Sequence, residues 1–209
     1  TKMGLNAAVD RRTWMLSNGK SHPLDMASGT QNALAATLFI LALPGSTYMY
    51  QGEELGLHEV IDIPASQIQD PQYLRNHKID KGRDGCRVPL PWTKSGPSFG
   101  FGTGGAHLPQ PNWFGGYSVE GEEKDSQSPL AIYRKALGLR KSLTTEEKVK
   151  WHKTGNSSVL HFSRPNGWHC ITNFRAAPIA MPKGKLLISS HPLQDGKIAA
   201  GTTVWLKKK

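Results

Sequence analysis

Apolar residues recur at Leu34, Leu38 and Leu41, the i, i+4, i+7 spacing of one helical face. That spacing predicts a helix from Thr30, whose hydroxyl can cap it, to about Ala42, stopped by Pro44 and Gly45. Ser46 to Tyr50 reads as a short strand entered directly from the helix, with the polar cluster Gln51, Gly52, Glu53, Glu54 at its C-terminal end. In α/β folds that end is where ligand groups gather. Upstream, the contiguous apolar Trp14, Met15 and Leu16 suggest a short buried strand over Thr13 to Leu16.

Residues 58–126 show no sustained period and are rich in Pro, Gly, Asn and Gln. A structureless stretch of that length is either disordered or a functional loop draped over a scaffold. Its aromatics (Trp92, Phe99, Phe101, Trp113, Phe114, Tyr117) favour the loop, because disordered segments are poor in them. A second helix is expected over Ser128 to Ser142, capped by Ser126 or Ser128 and with Leu130, Tyr133 and Leu137 as its apolar face. Glu122, Glu123 and Asp125 precede it, and Arg140 and Lys141 lie near its end, as the helix dipole favours. From about Glu147 the texture changes to short strands: Val149 to His152, Ser158 to Ser163, Trp168 to Phe174, Leu186 to Ser189 and Thr202 to Leu206. Pro165-Asn166-Gly167 signals a hairpin and Asp195-Gly196 another turn. So small an antiparallel domain is marginal alone and is expected to lean on something.

Composition narrows the function classes. The 209-residue chain carries a net charge of +10, but its basic residues are spread from Lys2 to Lys209 without a block interleaved with aromatics, which argues against nucleic acid as partner. Leu34 to Leu43, the longest mostly apolar run, is about half a membrane span, and no signal-peptide pattern opens the sequence. Cys86 and Cys170 are read as isolated thiols of a cytoplasmic protein rather than a disulfide. The eight histidines contain no HxH or HExxH arrangement, so no metal site is expected. Gly100, Gly102 and Gly105 fit G-x-G-x-x-G, but no strand precedes them and Pro109 blocks a following helix, so a turn-rich loop is the reading.

Three segments resemble one family. Leu41 to Leu57, LALPGSTYMYQGEELGL, is similar to the eighth barrel strand of the glycoside hydrolase family 13 α-glucosidases. Gly82 to Trp92, GRDGCRVPLPW, resembles the Arg-Asp-x-x-Arg-x-Pro-x-x-Trp motif of the α-glucosidase and oligo-1,6-glucosidase branch. The helix ending Leu139 to Lys141 and the closing β-domain complete the match, whose order and spacing fit from about Gln31 to Leu206. The fold class implied is α/β plus all-β. Residues 1–145 would be the C-terminal remnant of a (β/α)8 TIM barrel with a long active-site loop at 58–126, and 146–209 a small antiparallel β-sandwich, domain C.

The same resemblance locates the chemistry. Retaining α-glucosidases use two carboxyl groups about 5–5.5 Å apart, which in this family sit on the fourth and fifth barrel strands, upstream of anything here. A third carboxylate belongs to an Asn-His-Asp motif, and its counterpart here, Leu16-Ser17-Asn18-Gly19-Lys20, puts Lys20 where the Asp would be; Asp25 is a poor rescue. A lysine opposes a transition state that is itself cationic. No catalytic residue is therefore expected in the chain. Arg83 is expected to contact the non-reducing glucose, with Arg87 touching sugar or bracing the loop; for both the alternative is a salt bridge inside the loop. Adjacent strand residues point to opposite faces, so Glu53 and Glu54 are expected as supports behind a pocket wall rather than as a catalytic pair. The aromatics Trp92, Phe99, Phe101 and Trp113 could stack on a sugar, with loop packing the stronger reading. No metal or organic cofactor is implied, and the partners would be a small oligosaccharide or glucose and the N-terminal barrel portion. The expected function is carbohydrate metabolism, as an α-glucosidase fragment inactive alone. The alternatives are a non-catalytic carbohydrate-binding module and a non-functional truncation product.

Overall fold

The computed structural model describes residues 26–76, 81–143 and 146–208; the strand expected at Thr13 to Leu16 lies outside them. Helix α1 (Met26–Ala42) begins before the expected cap at Thr30. Leu34, Leu38 and Leu41 are buried as their spacing requires, and so are Ala35, Thr37, Phe39 and Ala42. A helix apolar around that much of its circumference belongs between layers.

The strand expected at Ser46 to Tyr50 is instead a segment without regular structure or strand pairing, with Tyr48 and Met49 exposed. A strand exists only where a neighbour takes its N–H and C=O groups, and among the described residues none runs alongside. After it come a 3₁₀ turn (Glu53–Leu55) and the short helices α2 (Pro71–Arg75), α3 (Asp84–Arg87) and α4 (Val119–Glu122).

Residues 58–126 do not lack local packing. Val60, Ile63, Val88, Leu108 and Phe114 from this stretch form a second core with Leu55 and Leu57 just before it, closed by Leu130 at the start of α5 (Pro129–Leu143). These side chains are scattered along the chain at irregular intervals, so the core has no period along the sequence. α5 is capped by Ser128, whose hydroxyl accepts from the Ala131 N–H at 3.2 Å. Leu130 and Tyr133 are buried as expected, but Leu137 is 39% exposed while Ile132 and Ala136 are covered, so the buried stripe is rotated from the one the pattern suggested.

Five antiparallel strands follow: β1 (Lys150–Trp151), β2 (Val159–Arg164), β3 (Trp168–Asn173), β4 (Lys185–Ser189) and β5 (Thr202–Lys207), in the order β1-β2-β3-β5-β4. The β2–β3 hairpin turns at Asn166 and Gly167, both left-handed. A Cβ on Gly167 would stand 2.4 Å from the Lys208 carbonyl oxygen, so glycine is required there. The turn pairs Arg164 with Trp168 and therefore Phe162 with Cys170.

One face of the sheet packs on the helices. Phe162, Cys170, Ile188 and Trp205 join Leu34, Leu38, Phe39, Ile132 and Tyr133 in the main core, which spans both sides of residue 145. Polar bonds fix the seam. The Trp205 indole donates to the Leu38 carbonyl at 3.0 Å, and the Thr203 hydroxyl donates to the Ala35 carbonyl at 2.7 Å. Arg140 donates to the carbonyls of Leu41, Leu43 and Gly45, and Arg164 reaches that of Ala42, so two cations serve the C-terminal end of α1. The other face of the sheet carries a smaller cluster of Ile171, Val204, Leu206 and Ile198. Cys86 and Cys170 are both buried and neither is in a disulfide. No helix among the described residues is long and apolar enough to cross a membrane.

Candidate functional site

The Arg-Asp-x-x-Arg motif is held by two buried carboxylates that reach across to each other's helix. Asp70 caps α2, its Oδ1 accepting from the Gln72 N–H at 2.9 Å, while its Oδ2 accepts from the Arg83 N–H at 2.8 Å and from Arg87 Nη1 at 3.2 Å. Asp84, at the start of α3, returns the arrangement by accepting from the N–H groups of Gln69 and Asp70. Gly82 lies between them with φ 72°, and a Cβ there would fall 2.4 Å from Asp70 Cγ. Any side chain at 82 would push the two helices apart. The N–H groups of Gln72 and Arg83, followed by the charges of Arg87 and Arg83, outweigh burial and hold the Asp70 carboxyl below its ordinary range.

The two arginines are thereby placed differently. Arg87 pairs with Asp70 and braces the loop, though its side chain remains 45% exposed. The Arg83 backbone is anchored but its side chain is exposed, and among the described residues its guanidinium makes no hydrogen bond or ion pair. Beneath the loop lies a shallow cavity of about 210 Å³ lined by Val60, Ile63, Ile68, Lys81, Gly82 and Asp84. Arg83 is not part of its wall.

Glu53 and Glu54 sit on a 3₁₀ turn, not at a strand end, so the alternation argument does not describe them. They diverge all the same. Glu54 folds back to accept from the Gly52 N–H at 2.9 Å. Glu53 is buried near the Tyr133 hydroxyl, which meets Thr37 Oγ1 at 2.9 Å; burial and then the Glu53 charge push that phenol up. Glu122 is a further buried acid, singled out in the sequence only as a charge ahead of a helix. Its Oε2 accepts from the Leu130 N–H at 3.0 Å, and burial, opposed by that bond and aided by Asp125 and Glu54, pushes its carboxyl up to about 7. It is only 7% exposed, beneath the start of α5. Lys20 and Asp25 lie outside the described residues.

Of the aromatics, Phe114 is buried and Phe99 partly so, while Trp92 and Phe101 are half exposed. Trp113 is 39% exposed and makes edge contacts with His58, Phe114 and Tyr117, which engages it in loop packing. Around Gly100 to Gly105 the chain forms turns and bends with no α-helix directly after them, so no helix N-terminus faces a phosphate.

The sequence signature described as alpha amylase, catalytic domain, matches residues 17–147. A probable alpha-glucosidase of Rhizobium meliloti is 34% identical over 130 residues, which is 61% of this chain and 23% of that protein. An oligo-1,6-glucosidase of Parageobacillus thermoglucosidasius is 27% identical over 128 residues, 53% of this chain and 23% of that protein. Among solved structures, the alpha-glucosyl transfer enzyme XgtA superposes with a TM-score of 0.71 at 28% identity, covering 95% of this chain and 37% of that one. The chain thus spans less than a quarter of the length of these two curated relatives.

Proposed function

The chain belongs to the alpha-amylase family by its match to the catalytic domain over residues 17–147, and from that membership we propose that it serves carbohydrate metabolism as the C-terminal part of an α-glucosidase. Residues 1–145 supply the end of a barrel and 146–209 the domain that closes it. The ligand is glucose or a small α-linked oligosaccharide. Arg83 meets a sugar hydroxyl, Arg87 braces the loop beside it, and Glu53 and Glu54 support the wall behind.

The observation that carries this reading is the contrast inside one motif: an anchored backbone at Arg83 with an exposed guanidinium that makes no hydrogen bond or ion pair among the described residues. A donor fork held on a rigid loop loses little entropy when a hydroxyl arrives. Cleavage is a separate matter. Bond breaking with retention needs a facing carboxyl pair about 5–5.5 Å apart. Among the described residues, the buried acids Glu122, Asp70 and Asp84 are committed to backbone N–H groups, and Glu53 lies against the Tyr133 phenol. The chain by itself is therefore proposed to bind sugar without turning it over.

Two measurements test this. The purified chain, and a Lys20→Asp variant, are expected to leave a chromogenic α-glucoside intact. Maltose titration followed by NMR is expected to shift resonances of the Arg83 loop, with affinity at least tenfold weaker in Arg83→Ala. Turnover by the unmodified chain would overturn the non-catalytic assignment, and maltose binding indifferent to Arg83→Ala would remove the sugar contact.

A further inference from the structure

The sequence shows no metal-binding spacing among its histidines, yet the sheet assembles three of them. Because β2 and β3 turn about Asn166, Ser163 stands opposite His169 and His161 lies two residues back on the same strand, opposite Ile171. The His152 N–H donates to the His161 carbonyl at 2.9 Å, continuing the β1–β2 pairing by one residue. Alternation then puts His152, His161 and His169 on the face opposite Phe162 and Cys170, one histidine from each strand or its immediate end. Their ring centroids are 4.3, 5.2 and 5.5 Å apart, and one ligand nitrogen of each lies within 4.8 Å of the other two.

We propose that His152, His161 and His169 form a site for a divalent transition-metal ion of the zinc class. A tetrahedral ion with metal–nitrogen bonds of 2.0–2.1 Å spaces its ligand nitrogens roughly 3.3 Å apart. His161 Nε2 and His169 Nδ1, 3.0 Å apart, are already at about that spacing, and His152 closes the triangle by rotating its ring. Neutral imidazole suits zinc, copper, nickel and cobalt, whereas magnesium and calcium demand oxygen. Burial above all, with the neighbouring rings and Lys208, pushes His161 and His169 down to about 4, and burial with Lys150 and Lys208 lowers His152. The three rings thus offer lone pairs at neutral pH, and an ion meets little proton competition. Ser163 Oγ, 2.8 Å from His152 Nε2, orients that ring. With Lys150 and Lys208 close enough to act on these rings, the fourth ligand is an anion, hydroxide or chloride, rather than a neutral group.

The test is calorimetric titration of the full chain with zinc, paired with the visible absorption of the cobalt(II) form. One ion per chain is expected, with four-coordinate cobalt bands and no heat from magnesium. His161→Asn and His169→Asn are each expected to weaken zinc at least tenfold, while His107→Asn leaves it unchanged. His152→Asn, at the outermost strand, gives the same reading if the other two variants fail to fold. Absence of zinc binding, or zinc binding that survives His152→Asn and the other variants that fold, would assign the cluster to packing alone.

Discussion

Glu122 sits in an environment at odds with its chemistry, because an acid is buried where its helix-facing oxygen accepts from the Leu130 N–H. Folding raises its carboxyl from 4.5 to about 7, so between those values the folded chain holds more proton than the unfolded one. Stability accordingly falls as pH rises from about 4.5 to about 7, and is level above that. Glu122→Gln keeps an oxygen for the Leu130 N–H and removes the buried charge. At pH 8 it is expected to gain about 1–2 kcal/mol over the unmodified chain, and at pH 4 to differ little. Urea midpoints at the two pH values check this; equal midpoints at pH 8 would mean that the charge is solvated. Nothing in the sequence distinguishes Glu122 from Glu123 beside it, since one is buried and the other is exposed only through the turn that precedes α5. The division of labour in the Arg-Asp-x-x-Arg motif was equally invisible. The spacing named Arg83 and Arg87 as candidates, but the partner that separates them, Asp70, lies more than a dozen residues upstream and outside the motif.

Elements whose partner lies close in sequence were legible, and those whose partner is distant were not. The β2–β3 hairpin could be read because Asn166-Gly167 fixes both turn and register, and that same register, followed through, is what brings His161 beside His169. The α1 face over Leu34, Leu38 and Leu41 followed from helical spacing alone. Ser46 to Tyr50 has strand composition, but pairing is a property of two segments, and composition reports on one. The second core was hidden for a related reason: Leu57, Val88, Leu108 and Phe114 meet in space without any common period. Helix α1 supplies the test at this scale. Its last carbonyls have no helical partner, and Arg140 supplies donors to three carbonyls at and just beyond its end. Arg140→Met preserves the apolar stem and removes every one of those bonds. The expected cost is about 2–3 kcal/mol, from charged hydrogen bonds lost at partly buried carbonyls. Chemical denaturation measures it, and an unchanged midpoint would mean that water replaces the guanidinium without penalty.

At the scale of the molecule the decisive feature is that the sheet does not own its core. The inner faces of Phe162, Cys170, Ile188 and Trp205 are completed by Leu34, Leu38, Phe39 and Tyr133, which come from α1 and α5, earlier in the chain than any strand of the sheet. Trp205 and Thr203 also take their hydrogen-bond acceptors from α1. Cut away from α1 and α5, the segment 146–209 would expose that whole face and strip the Trp205 indole N–H and the Thr203 hydroxyl of their acceptors on α1. A chain of that size buries too small a fraction of its surface to offset such a loss. The isolated segment is therefore expected to show no cooperative thermal transition by near-ultraviolet circular dichroism, while the full chain melts cooperatively. Trp205→Ala in the full chain is expected to cost about 3–5 kcal/mol, because it opens a cavity at the seam itself. If 146–209 melted alone at the temperature of the full chain, the sheet would be an independent domain, and the contacts to α1 would serve orientation instead of stability. If it does not, helices and sheet form one cooperative unit, and the Arg83 loop is carried on a platform that the sheet helps to hold rigid.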